Sequence, residues 1–191
     1  QSLQAREDLA RTPGERHSVM DARQHLTRLT FVLCDRYPAA LQQALAEADR
    51  DHFNTVWHRL APWPDTVAGL TRLKQRLTIS TLSNGNLSLL VAMAKHAGLP
   101  WDAVLSAELF GRFKPDLAVY LGAARLLGLA PDQVLMVAAH PFDLVAAKKA
   151  GLKTAYIPRP DEYGPGGRME PVGDAVFDIV ATDLVDLATQ L

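Results

Sequence analysis

Cysteine is almost absent from the sequence. Cys34 is the only one in 191 residues, which excludes a disulfide within the chain and any cysteine-built metal site. Long apolar runs are missing too, so nothing has the length of a bilayer-spanning helix, and no signal-like apolar region opens the chain. Runs of like charge are also lacking. Lys and Arg number 20 against 21 Asp and Glu, a formal charge of −1, which offers no electrostatic footprint for nucleic acid or an anionic membrane. The expectation is a cytoplasmic protein with no nucleic-acid and no membrane partner. No internal repeat or low-complexity tract is present. A starting methionine is missing as well: the chain opens at Gln1 in polar sequence that already reads as helical, so residues upstream are expected to have been removed or not included.

What is present suffices for a core. Hydrophobic residues make up 48% of the chain, and the length fits one domain or a core with a small accessory domain. From Ser18 to Leu33 the residues Val19, Ala22, Leu26, Leu29 and Leu33 recur at helical spacing. The stretches 39–48 and 51–60 read the same way, the second with Phe53, Val56, Trp57 and Leu60 on one face. Pro62 and Pro64 then form a joint that no helix should cross. Beyond it the pattern alternates. Strands are expected at 77–82, 104–105, 134–138, 154–157 and 179–181, and helices at 87–97, 116–127, from Pro141 to Gly151, and 184–191. Strands alternating with helices predict an α/β fold, a Rossmann-like parallel sheet covered on both faces. The division expected is a helical cap over 1–62 and an α/β core over 63–191.

In an open parallel sheet, ligands bind beyond the carboxyl ends of the strands. That rule selects Ser83, Asn84 and Gly85 after one strand, His140 and Asp143 after another, and Lys114 just before the helix that Asp116 caps. Hydroxyl, amide, ammonium and carboxylate thus converge on one edge as an anion-handling site. Taken singly, each also has a structural reading. Ser-Asn-Gly is a turn signal, Lys-Pro-Asp a helix entry, Asp143 a dipole partner at a helix start, and His140 a structural histidine. Their joint placement favours a site.

Three segments carry a family resemblance: Thr81 to Asn86, Phe113 to Asp116 with Tyr120, and Met136 to Leu144. They resemble the second, third and fourth motifs of the haloacid dehalogenase superfamily, nearest to its type II (L-2-haloacid) dehalogenases. Trp57 to Asp65 and Pro158 to Gly166 are similar to that branch as well. The resemblance implies hydrolysis of short 2-haloacids: an aspartate displaces halide, and water then cleaves the ester. It further implies that Ser83 binds a carboxylate, Asn84 cradles the halide, and Lys114 orients and stabilises the nucleophile. Tyr120 would support that lysine, Asp143 would bond to it or position the water, and Phe142 would line the halide pocket. A homodimer is expected by analogy, with Trp57 and Trp63 as a contact region.

Two departures from the family pattern bear on these expectations. The nucleophilic aspartate belongs on a strand before the cap, and no such strand is read here. Phe31 to Asp35 imitates one, but its apolar residues continue the helical stripe and Arg36-Tyr37-Pro38 follows, so Asp35 is expected to be a decoy. The nucleophile, with its strand and a cap arginine, is therefore expected upstream. The second departure is Ala138-Ala139-His140-Pro141, where serine and asparagine are usual. Magnesium-dependent phosphatases of the superfamily would place an acid where Ala139 stands, so no metal and no cofactor are expected. A phosphatase of small phosphomonoesters, or a binding scaffold without a nucleophile, are the alternatives.

Overall fold

The computed structural model describes residues 55–162 and 169–191, and the chain divides by internal contacts into Gln1–Asn54 and Thr55–Leu191. The expected cap residues up to 54, with Asp35, therefore lie outside the described residues. In the second unit a 3₁₀ turn, Trp57–Arg59, is followed by α1 (Thr66–Lys74), β1 (Ser80–Ser83), α2 (Leu87–Ala97) and β2 (Ala103–Ser106). A 3₁₀ turn at Ala107–Phe110 leads to α3 (Leu117–Leu126), and another at Pro131–Gln133 leads to β3 (Leu135–Ala138) and α4 (Pro141–Lys149). The last elements are β4 (Lys153–Tyr156), β5 (Ile179–Val180) and α5 (Leu184–Gln190).

All pairing among the described residues is parallel. β1 runs beside β2 with Ser83 opposite Ser106. β3 lies beside β4 with Ala138 opposite Tyr156, and β4 lies beside β5. This is the α/β class read from the sequence, in two short parallel sheets.

One strand begins later than expected. Leu77 is not in β1; its N–H donates to the Leu73 carbonyl in the turn closing α1, and its side chain is exposed. The apolar run 77–79 misled because helix exits and strand starts both tolerate such residues.

Two apolar clusters lie on opposite faces of the strands, as the period of two along β3 requires. One gathers Tyr120, Met136, Leu144, Ala147 and Leu152, with Leu82 of β1 packed against it. The other gathers Leu70, Leu73, Ile79, Ala155, Ile157 and Leu187, with Leu135 and Val137 against it. The first cluster thus draws on β1, the second on Ile79 just before it, and both on the β3–β4 pair. α1 reaches the second cluster through Leu70 and Leu73 and packs on α5 at Gly69. A Cβ at Gly69 would stand 2.4 Å from the Leu184 Cβ, so only glycine fits this approach.

Helix ends follow local chemistry. The Asn86 side chain accepts from the Leu89 N–H at 2.8 Å and starts α2, and Gly98, with φ 65°, closes it. Asp116 accepts from the Ala118 N–H at 2.9 Å and starts α3. Pro141 occupies the first turn of α4, where its missing N–H costs nothing. Among the described residues no helix is long and apolar enough to cross a membrane.

Candidate active site

The edge where β1, β2, β3 and β4 end collects the polar groups. Ser83 closes β1, and its Oγ accepts the Gly85 N–H at 3.0 Å, so the hydroxyl shapes the turn that follows. From β2 the buried Ser106 hydroxyl donates to the Gly85 carbonyl at 2.6 Å, and Glu108 accepts the Leu87 N–H at 2.9 Å. The Ser-Asn-Gly turn is therefore braced from the neighbouring strand rather than left as a free loop.

Asn84 reaches the next segment. Its Oδ1 accepts the Lys114 N–H at 2.7 Å, and its Nδ2 donates to the Lys114 carbonyl at 3.1 Å. One side chain thus grips both main-chain polar groups of Lys114, whose peptide bond to Pro115 is cis. The amide keeps one donor and one acceptor position beyond these two bonds.

With its backbone so held, Lys114 sends Nζ to Asp143 Oδ2 as an ion pair, with both side chains largely buried. Tyr120, wholly buried on the inner face of α3, donates its hydroxyl to Asp143 Oδ1 at 2.5 Å. Burial first, then the Asp143 carboxylate, push the Tyr120 phenol far above its ordinary range. It stays protonated and acts only as a donor. Asp143 sits on the first turn of α4, its N–H bonded to the His140 carbonyl at 3.1 Å. The ammonium of Lys114 has three N–H donors and spends one on Asp143, leaving two for an anion.

His140 is the residue before Pro141 and makes no side-chain cap to α4. Its Nε2 stands 3.2 Å from Glu162 Oε1, and its ring lies 5.7 Å from that of Phe142, which is half exposed. The structure thus links Asn84, Lys114, Tyr120 and Asp143 by direct bonds, and places His140 and Phe142 as a pair three residues and one residue before Asp143. Ser83 is held within its own turn and makes no bond to Lys114 or Asp143 among the described residues.

A second, partly buried ion pair ties the segment after β4 to the entry of α1. Arg159 donates from both terminal nitrogens to Asp65, at 2.8 and 2.7 Å, and its guanidinium lies 5.2 Å from the Trp63 ring centroid. Asp65 also accepts the Leu184 N–H at 2.9 Å. The Arg159 bonds, above all, hold the Asp65 carboxyl below its usual range. Neither Arg159 nor Glu162 was singled out from the sequence, although both lie inside the segment 158–166 that carried the resemblance. The signal available was the pairing of that segment with Trp57 to Asp65, the two sharing one partly buried salt bridge.

Among the described residues no three His, Cys, Asp or Glu side chains gather in a metal-binding group. Asp143 has both oxygens committed, and Ala139 offers no ligand atom.

A family model of haloacid dehalogenase-like hydrolases matches residues 3–151. The (S)-2-haloacid dehalogenase 4A of Burkholderia cepacia is 34% identical over 120 residues, which are 60% of this chain and 52% of that protein. The chain spans about half the length of the curated relatives it matches. Among solved structures, the L-2-haloacid dehalogenase PA0810 is 45% identical with a TM-score of 0.83, over 93% of this chain and 75% of that one. The defluorinating L-2-haloacid dehalogenase Rha0230 is 39% identical with a TM-score of 0.85, over 99% and 76%.

Proposed function

The chain belongs to the haloacid dehalogenase-like hydrolases, and from that premise we propose that it is the core and part of the cap of an enzyme that removes halide from short 2-haloacids. The cap would be built from residues 1–62 and the core from 63–191. The observation that carries the reading is the Lys114–Asp143–Tyr120 cluster, fixed by Asn84 and lacking a second acid at Ala139.

The chemistry follows from charge. A carboxylate oxygen attacks the α-carbon of the substrate, the C–O bond of an ester forms, and the carbon–halogen bond breaks with its electron pair leaving on the halide. Water then adds to the ester carbonyl, the hydroxyacid departs, and the carboxylate is restored with release of one proton. Nucleophile and substrate are both anions, so cations and donors must surround them. Lys114 supplies the ammonium, and Asp143 with Tyr120 keeps it aimed. Asn84, Ser83, His140 and Phe142 would line the pocket for the small acid and its halogen. The nucleophilic carboxylate itself is assigned to residues outside those described, since Asp143 is bound on both oxygens.

Among the described residues, Ala139 stands where a phosphatase of the superfamily would bring a second acid, and a hard cation needs several oxygen ligands beside the one carboxylate of Asp143. A metal-independent reaction is therefore proposed. The single cysteine suits a reducing cytoplasm, and a homodimer is the assembly proposed.

The test measures halide released from 2-chloropropionate with EDTA present, beside phosphate released from a generic phosphomonoester with Mg²⁺. The protein used carries its upstream coding sequence, and the 191-residue chain is assayed in parallel. Halide release without metal by the longer protein, and none by the shorter, is expected. Metal-dependent phosphate release with no halide release would leave only the family membership.

A further inference from the structure

The ladder between β1 and β2 ends at one pair, Ser83 opposite Ser106. Beyond it the chain turns through Asn84, Gly85 and Asn86, and its main-chain groups need partners other than the ladder. Two side chains after β2 supply them. The Ser106 hydroxyl donates to the Gly85 carbonyl at 2.6 Å and accepts the Glu108 N–H at 3.1 Å. Glu108 Oε2 accepts the Leu87 N–H at 2.9 Å. Ser106 is fully buried, a place where a hydroxyl is costly unless bonded, and its one proton is committed to the turn. Asn84 lies between the last ladder pair and the Gly85 anchor, which leaves its backbone little freedom to shift. Its side chain in turn holds both the N–H and the carbonyl of Lys114.

We propose that Ser106 and Glu108 are positioning residues for Lys114, acting through the turn that carries Asn84. For the reaction served the proposal rests on the dehalogenase reading, but its geometry does not. Lysine has a long flexible stem, so the ion pair of Nζ with Asp143 fixes the place of the charge and not the direction of its two remaining donors. That direction depends on where the stem starts, and the stem starts on the main chain that Asn84 holds. An electrostatic stabiliser works best when its donors already point to where charge develops. Loosening the turn should therefore slow the chemical steps more than it weakens substrate binding. Neither Ser106 nor Glu108 lies in the three family-like motifs, and neither bonds directly to Lys114 among the described residues.

Two readouts test this. The first needs no turnover: ¹H–¹⁵N spectra of the 191-residue chain. The Lys114 N–H, in its 2.7 Å bond to Asn84, reports on the grip although it touches neither substituted residue. In Ser106→Ala and in Glu108→Ala the Lys114 N–H and the Asn84 side-chain amide are expected to shift upfield. Glu108→Gln, whose amide oxygen still accepts from Leu87, should keep the parent positions. The amides of Leu144 and Ala147 verify that each variant folds. Should Ser106→Ala fail to fold, Glu108→Ala, changed at a partly exposed site, decides the matter alone. Lys114 and Asn84 signals unchanged in folded alanine variants would overturn the proposal. The second readout is halide release by the longer protein. Glu108→Ala is expected to lower kcat by about tenfold with KM changed far less, and Glu108→Gln to restore most of it. A lower thermal midpoint with kcat as in the parent would mean that the brace serves stability alone, and would overturn the link to catalysis. Should the parent itself release no halide, the dehalogenase reading fails, and the Lys114 signal decides the positioning role by itself.

Discussion

Lys114 owes its position to groups on three separate segments. Asn84 fixes its backbone, Asp143 receives its ammonium, and Tyr120 fills the remaining side of that carboxylate. Replacing it therefore has two consequences. Lys114→Ala removes the cation from the proposed reaction and should lower kcat/KM for 2-chloropropionate by on the order of 10²-fold or more. It also leaves Asp143 buried without its counter-charge, which should destabilise the fold by roughly 3–5 kcal/mol, read from denaturant midpoints. A triple variant Lys114→Met, Asp143→Leu and Tyr120→Phe, which also removes the buried hydroxyl that Asp143 accepts, should recover much of that stability and none of the activity. If stability stayed lost in the triple variant, the cost would lie in packing rather than in stranded polar groups. Asn84, Lys114 and Asp143 could be picked out of the sequence because each stands beside a strand end or helix start, where polar groups have few structural uses, whereas Tyr120, inside α3, entered only through the family resemblance. Glu162 could not, since a carboxylate in a loop rich in Gly and Pro has no periodicity to mark it.

Elements were read well where capping residues bound them and poorly where they were short. Asn86, Gly98, Asp116 and Pro141 fixed the helices to within a residue or so, whereas the start of β1 was set by pairing with β2, which no local pattern encodes. Contacts between elements were less legible still. The Arg159–Asp65 pair joins residues 94 positions apart and ties the segment after β4 to the entry of α1. Its pH dependence has a definite sign. The folded Asp65 carboxyl titrates below its ordinary value of 3.8, so the unfolded chain binds the extra proton first. The stabilisation is complete above the ordinary carboxylate range and is lost as pH falls from about 4 through the folded value. Asp65→Asn should thus be less stable than the parent near pH 7, by roughly 1–3 kcal/mol for the loss of a partly buried, charge-assisted pair, with the gap narrowing below pH 4. A constant gap in thermal midpoint from pH 7 to 3 would contradict this account. Gly69→Ala tests the adjoining contact between α1 and α5. The new methyl would meet Leu184 backbone carbon at 2.6 Å, so the helices must separate, at an expected cost of about 1–3 kcal/mol despite the better helix propensity of alanine.

Across the described unit, one feature of the layer organisation remains open. β1 is paired with β2 alone and β3 with β4 alone among the described residues, so each has a second edge without a partner among those residues. The β1 segment and β3 nevertheless meet in both apolar clusters, Ile79 just before β1 joining Leu135 and Val137 on one face and Leu82 joining Met136 on the other. Every residue of β1 is only half buried, and α2, rich in leucine and alanine, has no buried residue. Strands inside a parallel sheet covered on both faces are normally buried, because crossover helices pack over each side. N–H and C=O groups left without a partner along a strand edge are a cost that a strand laid beside it would remove. The family resemblance supplies a strand of the right kind, the one expected to carry the nucleophilic aspartate at its carboxyl end. Laid parallel between β1 and β3, it would deliver that aspartate to the edge where Lys114 has two donors to spare. Catalytic competence and sheet completion would then be one event. The prediction is that the longer protein, compared with the 191-residue chain, gains slowed amide exchange specifically in Ser80–Ser83 and Leu135–Ala138, together with a higher thermal midpoint. Halide release should appear in the same preparations that show this protection. Protection confined to α3 and α4, with β1 and β3 exchanging as before, would mean that the strand does not enter between them.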